Sequence, residues 1–92
     1  MASAIVVGSR TEQERYGEQA YRREIGRRIR DERFWRNLRQ EELAERAEVS
    51  RHFVSAIERG RHGLDVWRLR KVAHALGRDI CWLLEDLAER RR

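Results

Sequence analysis

Proline is missing from the 92 residues and glycine occurs only six times. Nothing therefore marks a Pro-rich linker or a tight hairpin, and the composition leans towards helices. A single cysteine, Cys81, excludes an intrachain disulfide and removes any requirement for an oxidising compartment. The longest purely aliphatic run, Ala4 to Val7, falls far short of the ~20 residues of a membrane span or the ~7 to 15 of a signal-peptide core. The expectation is a chain neither secreted nor inserted, with the cytoplasm as its location. Lysine is almost missing as well: of 21 basic residues only Lys71 is lysine. That bias either serves planar, two-pronged hydrogen bonding to phosphate or guanine or reflects genomic codon usage.

What is present bounds the protein from the other side. A chain of this size buries one core and has too little material for a second, which excludes a two-domain enzyme. Charged and apolar residues each make up 40%, enough for a compact core under a heavily charged surface. The net charge of +5 and a pI near 10.6 suit a polyanionic partner, nucleic acid ahead of an anionic membrane surface.

Residues 1–10 lack a helical period and read as an arm, flexible or extended. Thr11 followed by Glu14 has capping-box spacing and opens a first helix running to about Arg36. Tyr21, Ile25 and Ile29 form its buried stripe, and Asn37 ends it in a left-handed turn. Leu43, Ala44 and Ala47 share one face of a short second helix. Ser50 caps a third, with Val54 and Ile57 facing in and Arg51, His52, Ser55 and Ala56 facing out, and Gly60 stops it. After a loop at 61–64, Asp65 caps a fourth helix with Val66, Leu69, Val72, Ala73 and Leu76 inside, ended by Gly77. Asp79 caps a fifth, whose stripe is Ile80, Leu83, Leu84 and Leu87. The division is an arm and helix-one extension at 1–17 and a five-helix all-α domain at 18–92.

Helices two and three, each of about eight residues, are joined by the three residues Glu48-Val49-Ser50. That is helix-turn-helix spacing. With IGRRIRDER at 25–33, LRQEELAERAEVSR at 38–51, VSAIERG at 54–60 and LRKVAHALGRDICWLL at 69–84, about two thirds of the chain resembles the phage-repressor-like, or Xre-type, helix-turn-helix family. Physically, Ala44 is small where helices two and three cross, Val49 plugs the turn, and Ser50 leaves the first-turn amides of helix three directed outward.

The resemblance implies a recognition helix at about 51–58 and a sequence-specific DNA-binding transcriptional regulator, for instance a repressor. It also implies a homodimer on an inverted-repeat operator, since one such helix reads only a few base pairs. Gln40 would contact a phosphate and buttress the recognition helix, while Arg51, His52, Ser55 and Ala56 would meet base edges. Arg51 suits guanine, and Ala56 is limited to a thymine methyl group. Arg59, Arg61 and His62 follow, where the family makes backbone contacts, and Ser50 lies at the helix start. An ion pair between Arg33 and Glu58 is implied as well. Two departures stand out. Glu48 occupies a position where the family usually has Gly, at ~1 to 2 kcal/mol if left-handed. Arg39 replaces a capping Ser or Thr, at ~1 kcal/mol, and would offset that loss by lying beside a phosphate.

Enzymatic readings find no support. His52, His62, His74 and Cys81 lack zinc-ligand spacing, and neither a phosphate-cradling glycine loop nor a nucleophile motif is present, so no metal or cofactor is expected. Cys81 reads as packing, Trp82 as core and His74 as solvated. Phe34 and Trp35 fall off the Ile25–Ile29 stripe. They either pack within the chain, on the arm or helix five, or meet a protein partner. The second functional class is an antitoxin-like interaction module that binds a protein through its N-terminal segment.

Overall fold

The structure, a computed structural model, describes residues 12–61 and 65–85. These form five α-helices and no strand: α1 (Glu12–Trp35), α2 (Gln40–Ala47), α3 (Arg51–Glu58), α4 (Val66–Ala75) and α5 (Ile80–Leu84). The all-α, five-helix expectation holds. The N-terminal arm, the Thr11 side of the capping box, His62 and Leu87 lie outside the described residues.

The helix ends follow from local chemistry. Asn37 closes α1 with φ 57°, and the Leu38 N–H donates back to the Arg33 carbonyl at 3.0 Å, the six-to-one bond of a left-handed C-cap. Ser50 Oγ accepts the Phe53 N–H at 3.0 Å. Asp65 Oδ1 accepts that of Arg68 at 3.1 Å, and Asp79 Oδ1 that of Cys81 at 2.8 Å. Each satisfies a first-turn amide that has no partner within its helix. The backbone hydrogen bond from Cys81 also holds the Asp79 carboxyl below its ordinary pKa.

α1 packs on α3 and α5, α2 packs on α3 and α4, and α4 on α5. The shared core comprises Ile25 and Ile29 of α1, Leu43, Ala44 and Ala47 of α2, Phe53, Val54 and Ile57 of α3, Leu69, Val72, Ala73 and Leu76 of the α4 segment, and Leu83. Gly26 makes the α1–α3 crossing possible. A Cβ there would stand 2.3 Å from the Ile57 carbonyl oxygen and 2.7 Å from that of Glu58, so the two backbones touch.

Several expectations need correction. Phe53, not assigned to the core, is fully buried; it lies one turn before Ile57 and shares its face. Ala56, expected to face out, is 7% exposed, because α3 is covered by α1 on one side and α2 on the other and only a narrow strip remains free. Val66 is exposed, since the α4 stripe becomes covered only from Leu69 onward. Cys81 is exposed rather than packed, and Trp82 is half-buried at the edge of the core. Leu84 is also exposed, and the fifth helix is shorter than its apolar stripe suggested. Glu85 turns extended, with ψ 138°, and the last carbonyls are taken by α1. Arg28 Nη1 donates to the Leu83 oxygen at 2.7 Å, and the Tyr21 hydroxyl to that of Leu84 at 2.9 Å.

Candidate nucleic-acid interface

The turn between α2 and α3 consists of Glu48, Val49 and Ser50. Glu48 adopts the left-handed conformation, φ 58° and ψ 44°, as its place in the turn demanded. Its carbonyl accepts from Lys71 Nζ at 3.1 Å, which ties the turn to α4, and the Val49 N–H donates to the Ala44 carbonyl at 3.0 Å. Val49 is half-buried against the core. The turn is thus held by backbone bonding, one lysine and one plug, and α3 leaves it at a fixed angle.

At the start of α2 the expected lack of a side-chain cap is real, since arginine has no acceptor to offer a first-turn amide. The reciprocal half of a capping box remains: Glu42 Oε1 accepts the Arg39 N–H at 2.8 Å. That bond, followed by the Arg39 side chain, lowers the Glu42 carboxyl below its ordinary pKa. The Arg39 guanidinium is largely exposed, 3.5 Å from Glu42, a loose surface pair that a phosphate could replace at little cost.

Beneath the two helices lies a buried polar network. Arg33 Nε and Nη2 donate to the two Glu58 carboxylate oxygens at 2.6 and 2.9 Å, and Nη1 donates to the Leu38 carbonyl at 2.8 Å. Gln40 Nε2 donates to Glu58 Oε1 at 3.1 Å. The implied Arg33–Glu58 pair is therefore present, and Gln40 is its third member. One carboxylate at the end of α3 is gripped from α1 and from the start of α2, which fixes α3 in three dimensions.

Of the residues assigned to the interface, α3 brings Arg51, His52, Ser55 and Arg59 to one side. Arg51 and His52 are exposed and Ser55 is half-exposed. Arg51 Nε lies 4.0 Å from Glu41 Oε1, too far for a hydrogen bond and too solvated to hold the side chain. Arg59 is exposed, and its Nε donates to the Ser55 carbonyl at 3.3 Å. Arg61 is exposed too, its N–H bonded to the Ala56 carbonyl at 2.9 Å. Ser50 Oγ is an acceptor within its own cap, which leaves the hydroxyl proton for an outside acceptor. Ala56 stands apart from this set because of its burial.

Sequence reasoning missed two positioning residues on α1. Gly26 had a signal only in being a glycine inside a helical pattern. Arg28 had none, because a charged residue amid alternating charges reads as solvated. It is 2% exposed, its Nε donating to Glu24 at 3.0 Å while Nη1 closes α5. Among the described residues no group of His, Cys, Asp and Glu side chains could hold a metal ion, and no helix is long and apolar enough to cross a membrane.

Two short helices at a fixed angle, a three-residue turn, and a capped second helix presenting a free basic strip define a helix-turn-helix unit. A family model described as a helix-turn-helix domain matches residues 24–81, and the chain belongs to that family, in agreement with the phage-repressor-like resemblance. It is 43% identical over 65 residues to an uncharacterized HTH-type transcriptional regulator of Methanothermobacter thermautotrophicus, a match spanning 66% of this chain and 94% of that protein. Two crystal structures of the clp gene regulator ClgR from Corynebacterium glutamicum share the fold. One has a TM-score of 0.67 at 33% identity, covering 76% of this chain and 74% of that one. The other has a TM-score of 0.66 at 32% identity, covering 78% and 94%.

Proposed function

We propose that this helix-turn-helix protein is a sequence-specific DNA-binding transcriptional regulator, non-enzymatic and cytoplasmic, that acts as a homodimer on an inverted-repeat operator. The observation carrying this reading is the free strip of α3. Arg51, His52 and Ser55 project from a helix whose other sides are covered and whose end is locked through Glu58. A rigid helix with a capped, outward N-terminus and a guanidinium in its first turn suits the major groove. Arg39, Gln40, Ser50, Arg59 and Arg61 border that strip and serve as phosphate holders; His62 belongs with them by its place in the chain. Ala56 is buried behind the strip and reads no base. A second copy as partner is supported by the exposed aromatics. Phe34 and Trp35 are 60% and 83% exposed, and Trp35 borders a depression shared with Trp82 and Arg78.

Titration of operator and scrambled duplexes at several salt concentrations tests the assignment. Arg51→Ala should weaken operator binding by ~1 to 3 kcal/mol per half-site and leave scrambled DNA nearly unaffected. Arg61→Ala should weaken both and lower the salt slope by roughly one unit for each phosphate it no longer neutralises. Equal losses on both duplexes for Arg51→Ala would remove α3 as the reading element.

A further inference from the structure

The helix-turn-helix does not account for the arginines of α1. Arg23, Arg27 and Arg30 recur at i, i+4 and i+7, on one face over two turns, a length of about 10 Å. With Arg59, Arg61 and Glu58 they line a single open depression of about 490 Å³. Gly60 brings the two segments together. It has φ +69°, and a Cβ there would approach the Arg23 Cα and N at 3.1 Å, so the chain leaving the recognition helix lies directly on the backbone of α1.

The charges in this depression are unequal. Arg27 is neutralised locally, its Nε and Nη2 bonded to Glu24 at 3.0 and 2.7 Å and its Nη1 to Asp31 at 2.8 Å. Glu58 is neutralised by Arg33 and further hydrogen-bonded by Gln40. Arg23, Arg30, Arg59 and Arg61 line the same concavity, all four exposed, and none has a carboxylate partner among the described residues. Four uncompensated guanidinium groups around one concavity repel one another until an anion enters.

We infer that Arg23 and Arg30 extend the DNA-binding surface along α1, and that the depression they form with Arg59 and Arg61 takes the phosphodiester backbone of the duplex beyond the base pairs read by α3. This rests on the proposed DNA-binding function and adds a flanking segment of the same duplex. The depression adjoins the end of the recognition helix, so a strand leaving the α3 groove past Arg61 next meets Arg23 and Arg30. Phosphates advance about 3.4 Å per residue along one strand, and two turns of α1 therefore span about three of them. Guanidinium forks fit such oxygens without reading sequence.

The test compares the full chain with Arg23→Gln/Arg30→Gln and with Arg46→Gln/Arg70→Gln. The latter removes the same charge from the separate basic cluster of Arg46, Arg70, Lys71 and His74. Each protein is titrated against an operator duplex with long flanks and against one trimmed to the recognised base pairs, with circular dichroism verifying that every variant is folded. On the long duplex Arg23→Gln/Arg30→Gln should lower the salt slope by about 1.8 and, from counterion release alone, the affinity by up to roughly sixty-fold at 0.1 M salt. On the trimmed duplex it should match the parent, and the control should change the slope little on either. Three results overturn the inference while leaving the regulator reading intact: unchanged binding to the long duplex, an equal loss on the trimmed one, or an equal loss from the control. A parent chain that binds neither duplex nor random DNA at low salt overturns the DNA-binding reading itself, and the inference with it.

Discussion

Replacing Glu58 by alanine probes the network that holds the end of α3. The side chain is buried and accepts two charged hydrogen bonds from Arg33, at 2.6 and 2.9 Å, and one from Gln40 at 3.1 Å. Removing it strands a guanidinium whose own side chain is 8% exposed and which keeps only the Leu38 carbonyl as a hydrogen-bond partner. Breaking a buried pair from one side costs about 3 to 5 kcal/mol, because the remaining charge is desolvated without compensation. We take the lower end, since water can enter through the adjoining depression. For a domain this small each kcal/mol shifts the midpoint by about 4 to 8 °C, so a loss of about 3 kcal/mol lowers Tm by roughly 12 to 24 °C. Thermal unfolding followed by circular dichroism, with urea unfolding as a second measure, reads this directly. Removing both charges with Arg33→Met/Glu58→Leu should recover a large part of the loss, because no unpaired ion then stays buried. A Glu58→Ala melt within about 2 °C of the parent would refute the reasoning, being far below the shift expected for a stranded buried charge, as would a double variant less stable than the single one.

Further outcomes concern α1 and the proposed dimer. Gly26→Ala should cost about 3 kcal/mol, the upper end of overpacking, because its Cβ would meet the α3 backbone at 2.3 Å. Gly17→Ala in the same helix has nothing within 4 Å and should stabilise by up to about 1 kcal/mol; urea midpoints of opposite sign verify the contrast. The hydrogen bonds of Arg27, opposed by burial and reinforced by Arg28, hold the Glu24 carboxyl below its ordinary pKa. The stability it adds is complete above the unfolded value of roughly 4.3 and is lost as pH falls through the lower folded value. Glu24→Gln should therefore flatten the acid limb of a Tm-against-pH curve. Phe34→Ser/Trp35→Ser should give a folded monomer by sedimentation, and a surviving dimer would place the interface elsewhere.

Local chemistry makes much of the chain legible in its letters. The caps at Ser50, Asp65 and Asp79, the left-handed residue Asn37 and the α2–turn–α3 spacing depend on neighbours within a few positions, so short stretches of sequence are enough to read them, whereas the left-handed Glu48 follows from the family resemblance. The exposed strip with Arg51 and His52 follows from helical periodicity, and the Arg33–Glu58 pair follows from the family resemblance. What could not be read depends on groups distant in the chain. Ala56 is covered because α1 and α2 both pack on α3, and α5 stops at Leu84 because Arg28 and Tyr21, more than fifty residues earlier, take its last carbonyls. Gly26 and Gly60 matter because two backbones meet there. The arginines of α1 form a depression only because the chain after α3 returns to lie on them. Periodicity locates a face, but packing decides what covers it and which charges share one space.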